Sequence, residues 1–466
     1  MRFEVGAKIY ARDASPELAE WCRENLVLDN PEYEKKQRMG FWTGNVPKQI
    51  CLYERQGNDL CIPFGCISSL LREFPGTKAY SLMGEGYPVK YYPDFDLYPY
   101  QKEAVRSALK KMNGVIVMPC GAGKTQTALA IIATLGLRAL WLTHTQDLLN
   151  QSLNRAKSVF NNANSIYGTI TSGKVNIGSG ITFATVQTMS KLDLTQYKDA
   201  WNIIIVDECH KAIGAPTKVM QFYKVLSNLS CRYKFGLTAT PKRADGLERS
   251  MYALLGDVIH EVSRDEVSST TCPVNVELVR TGYMPDMDLA LSGDGTINYA
   301  GLVKDLTGNS ERLYNVAVKI NQVAEQGATL VLANRVEYLQ RLEDILTKAG
   351  RTCICLSAMG QSKAAKTARK EALRRLNAGE INCVLATYQL AAEGLDCPNL
   401  RYVVFATPEK NERVVEQASG RVARKAEGKD HGTIIDFLDD FGMYNGWAKK
   451  RKGYYRRLGY DILGDA

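Results

Sequence analysis

Long hydrophobic runs, paired cysteines and clustered histidines are all missing from this 466-residue sequence. The longest apolar stretch, residues 128–142, is broken by Thr134 and Arg138, so no membrane-spanning helix is expected. The opening residues, MRFEVGAKIY, have no apolar signal core, and a cytosolic chain is expected. The four histidines (His144, His210, His260, His431) lie far apart, and none of the 12 cysteines forms a C-x-x-C pair. That spacing argues against structural zinc and against a disulfide scaffold. What the chain does have is a modest excess of cations, 59 against 50 acidic residues, for a net charge of +9. Residues 1–90 are balanced, 91–270 carry +6 and 271–466 carry +3. A polyanion partner fits this excess, and so does an ordinary basic enzyme. The length suggests about three domains.

From Leu97 onward, short β-branched runs alternate with helical stretches, the rhythm of parallel α/β domains. Residues 114–118 (GVIVM), 139–142 (ALWL), 181–184 (ITFA), 203–206 (IIIV) and 232–237 (RYKFGL) read as strands of one sheet. A second series is 329–332 (TLVL), 352–356 (TCICL), 383–386 (CVLA), 402–405 (YVVF) and 433–436 (TIID). Between the series, the Gly/Asp/Met-rich residues 281–309 read as a linker or mobile insertion. The first 90 residues lack the rhythm and read as a small α+β unit. Cys353 and Cys355 alternate on a presumed strand and read as packing.

The sharpest local signal is residues 118–125, MPCGAGKT, between an apolar strand and the helical run 125–135. Glycines let backbone N–H groups wrap phosphate oxygens at a helix N-terminus. Lys124 then reaches the β/γ-phosphates and Thr125 the Mg²⁺ of a bound nucleotide. Met118 stands where the strict motif has its first glycine. Some 80 residues later, residues 203–210 (IIIVDECH) put adjacent carboxylates at a strand end. Asp207 there suits Mg²⁺ through water, and Glu208 suits polarising the attacking water.

Residues 207–210 (DECH) with 236–241 (GLTATP) resemble motifs II and III of the superfamily 2 helicases. The other motifs follow in family order. Residues 98–101 (YPYQ) resemble the adenine-sensing glutamine element, and 142–151 (LTHTQDLLNQ) resemble motif Ia. Residues 182–187 (TFATVQ) are similar to the next strand-contacting motif, 331–335 (VLANR) to motif IV, and 386–396 (ATYQLAAEGLD) to motif V. Residues 417–424 (QASGRVAR) match the Q-x-x-G-R-x-x-R of motif VI. The flavour resembles the XPB and phage UvsW group and restriction-enzyme motor subunits. Residues 243–245 read Arg-Ala-Asp where XPB relatives carry Arg-Glu-Asp.

The resemblance implies an α/β fold with two tandem RecA-like parallel-sheet domains preceded by a small α+β N-terminal domain. The boundaries expected are 1–90, a DNA-recognition domain; 91–270, the first RecA-like domain; 271–310, a linker or insertion; and 311–466, the second RecA-like domain with a basic tail. It implies ATP and Mg²⁺ as cofactors. Lys124, Asp207, Glu208, Gln417, Arg421 and Arg424 would be catalytic. Gln101, Gly121, Ala122, Gly123, Lys124, Thr125, Gly394 and Asp396 would hold nucleotide, and Thr125 and Asp207 the metal. Thr143, Thr185, Arg335 and Thr387 would contact nucleic acid, and His210, Thr238 and Thr240 would couple the two activities. On a helix, Gln417, Arg421 and Arg424 fall at i, i+4 and i+7 on one face, suited to an arginine finger supplied in cis.

The activity implied is that of an ATP-dependent helicase or translocase on double-stranded or branched DNA, forks or Holliday junctions, with links to DNA repair and recombination. A monomeric motor in a bacterial or phage-infected cytoplasm is expected. The alternatives are a restriction or defence motor subunit and an ATP-gated clamp that does not separate strands. Two basic–aromatic segments bear on the partner. Residues 35–48 interleave Lys35, Lys36, Arg38 and Lys48 with Phe41 and Trp42, which suits either base stacking or a small-domain core. Residues 447–458 pack six cations among Trp447, Tyr454 and Tyr455, read as a DNA-backbone contact or a solvated basic helix.

Overall fold

The computed structural model describes residues 1–171, 173–210, 216–241, 247–268, 271–291, 297–360, 362–392, 395 and 397–464. Residues 243–245, Gly394 and Asp396 lie outside the described residues. The chain forms two compact units, Met1–Pro119 with Gly123–Ser263, and Cys120–Ala122 with Arg264–Ala466.

All ten strands expected from the apolar runs are present, shifted by one or two residues at their ends. In the first unit they belong to an eight-stranded sheet. Its order is Lys174–Asn176, Tyr167–Thr171, Ile181–Thr185, Ala139–Thr143, Ile203–Asp207, Tyr233–Thr238, Asn113–Val117 and Val258–Glu261. Every pairing is parallel except that of the edge strand Lys174–Asn176. Helices cover both faces, so the central strands are continuous apolar runs rather than alternating ones. Asp207 lies opposite Leu237, and Thr238 opposite Val117, so the chemically marked strand ends meet at the carboxyl edge of the sheet. In open parallel sheets this is the edge that takes ligands.

The first 90 residues form a second, five-stranded sheet in the order Glu54–Gln56, Asp59–Pro63, Lys8–Arg12, Arg2–Val5 and Ala79–Ser81. Its core is continuous with that of the motor sheet: Phe3, Ile9, Ile62 and Leu70 belong to the same buried cluster as Leu140, Ile204 and Leu254. Gly65 sits so close to the carbonyls of Tyr252 and Ala253 and the amide of Gly256 that no Cβ fits there.

The second unit holds a seven-stranded parallel sheet. Its order is Cys353–Cys355, Cys383–Thr387, Thr329–Ala333, Tyr402–Phe405, Gly432–Leu438, Val274–Arg280 and Asp461–Leu463. This corrects the reading of residues 271–310 as a linker. Val274–Arg280 pairs with Gly432–Leu438 over seven positions, and alternate residues are buried. Beyond it, helices Met287–Ala290 and Tyr299–Gly308 close a satellite core with Tyr283 and Tyr444.

The basic tail is the helix Gly442–Arg457, and Arg451 within it is 1% exposed. Its guanidinium makes a bidentate pair with Asp436, at 2.7 and 2.8 Å. Arg451 is therefore a core group and not one of the cations offered to a polyanion; a buried arginine needs such a partner to offset desolvation.

Candidate functional site

The strand Asn113–Val117 is buried throughout and leads through Met118 into the loop before helix Lys124–Leu135. Met118 fits in place of glycine because it extends the ladder: its amide donates to the Thr238 carbonyl at 2.9 Å and its side chain is in the core. Gly121 and Gly123 take φ of +85° and +76°, conformations that suit glycine. A Cβ on Gly123 would also run into the Gln101 amide. Gln101 is itself fixed, since its Oε1 accepts from the Tyr98 amide at 3.0 Å and caps helix Pro99–Lys111. The first-turn N–H groups of helix Lys124–Leu135 thus open beside Lys124 and Thr125, the arrangement that binds phosphate.

Strand Ile203–Asp207 delivers the carboxylates. Asp207 is 8% exposed, and Ser152 Oγ donates to it at 3.4 Å. Burial, then the adjacent Glu208 charge, push its carboxyl up against the pull of Lys124. Lys124 Nζ stands 3.7 Å from Glu208 Oε1. Glu208 takes φ +49°, a left-handed conformation that costs a non-glycine residue about 1 kcal/mol or more. Its Oε2 is buried, has no hydrogen-bond partner among the described residues, and lies 3.2 Å from His210 Nδ1. That same nitrogen is 2.8 Å from Thr238 Oγ1, which accepts from the Thr240 amide at 3.1 Å. A chain of contacts therefore runs from Glu208 through His210 to Thr238, the last residue of the neighbouring strand, and to Thr240 just past it.

The structure gathers Gln101, Gly123, Lys124, Thr125, Asp207, Glu208, His210, Thr238 and Thr240 at this one sheet edge. Thr143 and Thr185 pair in register, and both are buried. Their hydroxyls are engaged internally: Thr143 donates to the Thr145 carbonyl, and Thr185 accepts from the Thr188 amide. They shape the strand ends and do not present hydroxyls to solvent.

In the second unit, Arg335 is exposed at the N-cap of helix Val336–Lys348. Thr387 is half-buried; its amide donates to Ser357 Oγ at 2.8 Å. Gln417 and Arg421 lie on helix Glu412–Val422. The Arg421 guanidinium donates to the carbonyls of Ala391 and Leu395, in the motif V segment. Arg424 departs from the expected helical face. The helix ends at Val422, the Ala423 carbonyl accepts from the Cys272 amide at 2.9 Å, and Arg424 forms an isolated bridge with Thr271. Strand pairing takes the carbonyl that the next helical turn would have used.

A projecting loop completes the inventory. The short ribbon of Val27–Asp29 with Gln49–Cys51 is its stem. Fully buried Asn30 clamps the base: its Nδ2 donates to the Pro47 carbonyl at 2.7 Å, and its amide to the Lys48 carbonyl at 3.0 Å. Helix Pro31–Arg38 has no buried residue. Past it, Phe41 and Trp42 are 59% and 74% exposed, flanked by exposed Lys35, Arg38 and Lys48. Of the two readings open for this segment, the small-domain core is excluded. Sequence reasoning missed Asn30 and Ser152, whose roles depend on distant partners. It also passed over Lys234, although a lysine inside an apolar strand run is itself a signal.

A phosphate loop, a paired-carboxylate strand end and two parallel-sheet units of RecA type define an ATP-driven motor of the helicase class. Residues 94–243 match the family described as "Type III restriction enzyme, res subunit", and residues 310–426 the "Helicase conserved C-terminal domain". A protein of Acanthamoeba polyphaga mimivirus, named as an ATP-dependent RNA helicase, is 26% identical over 78% of this chain and 69% of its own. The "DNA 3'-5' translocase XPB2" of Sulfurisphaera tokodaii is 24% identical over 71% of this chain and 79% of its own. The "ATP-dependent DNA helicase uvsW" of Enterobacteria phage T4 is 23% identical over 76% and 71%. Among solved structures, Saccharomyces cerevisiae Dbp5 bound to RNA and ADP BeF3 shares the fold, with a TM-score of 0.57 at 15% identity over 79% of this chain and 90% of that one. The chain is a superfamily 2 helicase resembling the XPB and UvsW group, and an ATP-dependent enzyme.

Proposed function

We propose that this helicase is a translocase on double-stranded or branched DNA, at forks or Holliday junctions, in preference to RNA. The observation that carries the reading is the clamped loop 30–48, which offers Phe41 and Trp42 among cations on the same compact unit as Lys124, Asp207 and Glu208. Exposed rings stack on splayed bases while flanking cations hold phosphates. The relatives named for DNA support it, and the mimivirus relative named for RNA makes the comparison worth testing. The expected boundary at residue 90 remains part of this reading for the DNA-facing role of the N-terminal segment, although that segment shares a core with the motor sheet.

In the same reading ATP is hydrolysed at the phosphate loop. Lys124 and the loop of Gly121, Ala122 and Gly123 hold phosphates, Gln101 the base, and Glu208 the attacking water. Mg²⁺ fits the donor set. Among the described residues no three or more His, Cys, Asp or Glu gather into a protein-only cage. A nucleotide-site Mg²⁺ needs few protein ligands, because phosphates and water supply the rest. Thr125 and Asp207 would hold it, and a cation would relieve the burial that disfavours the Asp207 charge. When bound, it neutralises phosphate charge. Gln417, Arg421 and Arg424 serve the γ-phosphate, Gly394 and Asp396 the nucleotide, and Arg335 with the strand ends at Thr143, Thr185 and Thr387 the nucleic-acid track. The reading extends to DNA repair or recombination intermediates in a bacterial or phage-infected cell and to a monomeric motor; the phage T4 relative named as a DNA helicase supports its DNA part. Among the described residues no helix is long and apolar enough to cross a membrane.

ATPase stimulation by fork, Holliday-junction, linear-duplex, single-stranded and RNA cofactors tests the reading. Junction DNA is expected to stimulate most, and equal or greater stimulation by RNA or plain single strands would overturn it. A strand-displacement assay separates it from the clamp alternative. The restriction-family match favours a second reading, a motor subunit of a restriction complex, and co-purification of a nuclease partner would establish that instead.

A further inference from the structure

Lys234 lies inside the motor strand Tyr233–Thr238, two positions before Gly236 and four before Thr238 of motif III, and it is 0% exposed. Its ammonium bridges the motor and the N-terminal sheet. It donates to the Leu226 carbonyl at 2.8 Å and to the Ala7 carbonyl, in the first turn of the N-terminal sheet, at 3.3 Å. It also stands 4.6 Å from the centroid of the Phe64 ring, another N-terminal residue. A buried ammonium is retained only where such partners replace its water. Close packing continues along the same seam. Gly65 leaves no room for a Cβ against Tyr252, Ala253 and Gly256, and Cys66 Sγ approaches the Ala253 carbonyl at 3.7 Å. At the far end Glu54 accepts from Tyr223 at 3.0 Å and from Lys8 at 2.7 Å.

We propose that Lys234 is a positioning residue that pins the N-terminal sheet to the motif III strand, so that the two move as one body during ATP turnover. The strand that carries Thr238, and through it the contacts to His210 and Glu208, then sets the place of everything the N-terminal domain presents. Loop 30–48 gains its effect on the substrate from being held in register with the motor, as two tethered contacts act together only while their geometry is fixed. The pinning stands without the DNA reading; only its effect on DNA binding rests on that reading.

Lys234→Met keeps the length of the side chain and removes the ammonium, and Phe64→Leu removes only the ring face. Hydrogen exchange on the full chain, without DNA, reads the pin. In Lys234→Met, amides of strands Lys8–Arg12 and Asp59–Pro63 are expected to exchange at least about 10-fold faster, with Ala139–Thr143 unchanged; Phe64→Leu should show the same pattern more weakly. DNA-stimulated ATPase reads the positioning: the maximal rate should stay within about two-fold while the half-saturating fork concentration rises about 10-fold. Unchanged exchange in both variants overturns the pin. Faster exchange with unchanged half-saturation overturns the positioning role and leaves Lys234 a packing residue. Should Lys234→Met not fold, the Phe64→Leu result decides on the same two readouts.

Discussion

Glu208 Oε2 and His210 Nδ1 lie 3.2 Å apart because the backbone turns left-handed at Glu208, where φ is +49°. In an ordinary strand ending, Glu208 would point away from Asp207 by alternation. The turn instead keeps its carboxylate within reach of both Lys124, at 3.7 Å, and the histidine that touches Thr238. Local strain at Glu208 thus links the phosphate loop to motif III.

Glu208→Gln preserves shape and removes charge. It should keep ATP bound and lower turnover by about 10²–10⁴-fold, the scale of a lost general base. Single-turnover hydrolysis beside a nucleotide-binding titration checks this. A wild-type rate would remove Glu208 from the chemistry.

Lys124→Ala should behave differently, because the ammonium serves phosphate in both ground and transition states. Nucleotide affinity and turnover should fall together. The variant also strips Glu208 of its cation at 3.7 Å. Unaltered ATP affinity in a binding titration would contradict the assignment.

The two arginines of motif VI should separate. Arg421 donates to the Ala391 and Leu395 carbonyls, so Arg421→Ala should lower stability by about 1.5–3 kcal/mol as well as activity. Arg424→Ala should leave nucleotide affinity within a few-fold and lower DNA-stimulated hydrolysis by about 10³ or more. Thermal melts with ATPase rates on both variants make the comparison. Undiminished turnover in both would sink the cis-finger role.

The ten motor strands were legible because buried parallel strands are continuous apolar runs that periodicity cannot hide. Val274–Arg280 was not, since its alternating pattern and position after the first motor half read as the start of a connection. The phosphate loop, Asp207 and Glu208 were legible as motifs, whereas the left-handed turn at Glu208 leaves no mark in composition. Arg451 and Trp42 show the limit from opposite sides. A cation in a basic run is buried on Asp436, and a tryptophan in a small domain is 74% exposed. Only the tertiary partner distinguishes them.

Lys234 supplies a pH test. Burial lowers its ammonium from 10.5 to about 8 in the folded chain, with the nearby Cys231 a smaller, opposing influence. Below pH 8 the lysine is protonated in both states and the full desolvation cost is present. Between about 8 and 10.5 the unfolded chain binds the extra proton, so stability rises with pH. Relative to Lys234→Met, the wild type should therefore gain up to about 3 kcal/mol across that window. Denaturant melts of both proteins at pH 7, 8.5 and 10 provide the measurement; a difference independent of pH would mean that the ammonium is not perturbed.

The substrate prediction now takes a sharper form than truncation allows. From the sequence, every ATP motif follows Leu97, and removal of residues 1–90 would be expected to spare basal ATPase. The shared core argues otherwise, because truncation would uncover Leu254 and Leu255 and leave Lys234 without Ala7 and Phe64. Point changes at the loop tip avoid this. Phe41 and Trp42 are exposed, so replacing both with alanine should shift the melting midpoint by little. If the rings stack on splayed bases, each contributes about 1–3 kcal/mol to binding a branch point and little to binding linear duplex. Fork affinity should therefore fall by about 10-fold or more in the double variant while duplex affinity holds. Replacing Lys35, Arg38 and Lys48 should instead weaken fork and duplex alike and flatten the salt dependence, since phosphate contacts act through counterion release. Competition titrations with fork and duplex at two salt concentrations distinguish the two effects. Equal losses on fork and duplex in the aromatic variant would move branch recognition away from this loop and into the motor.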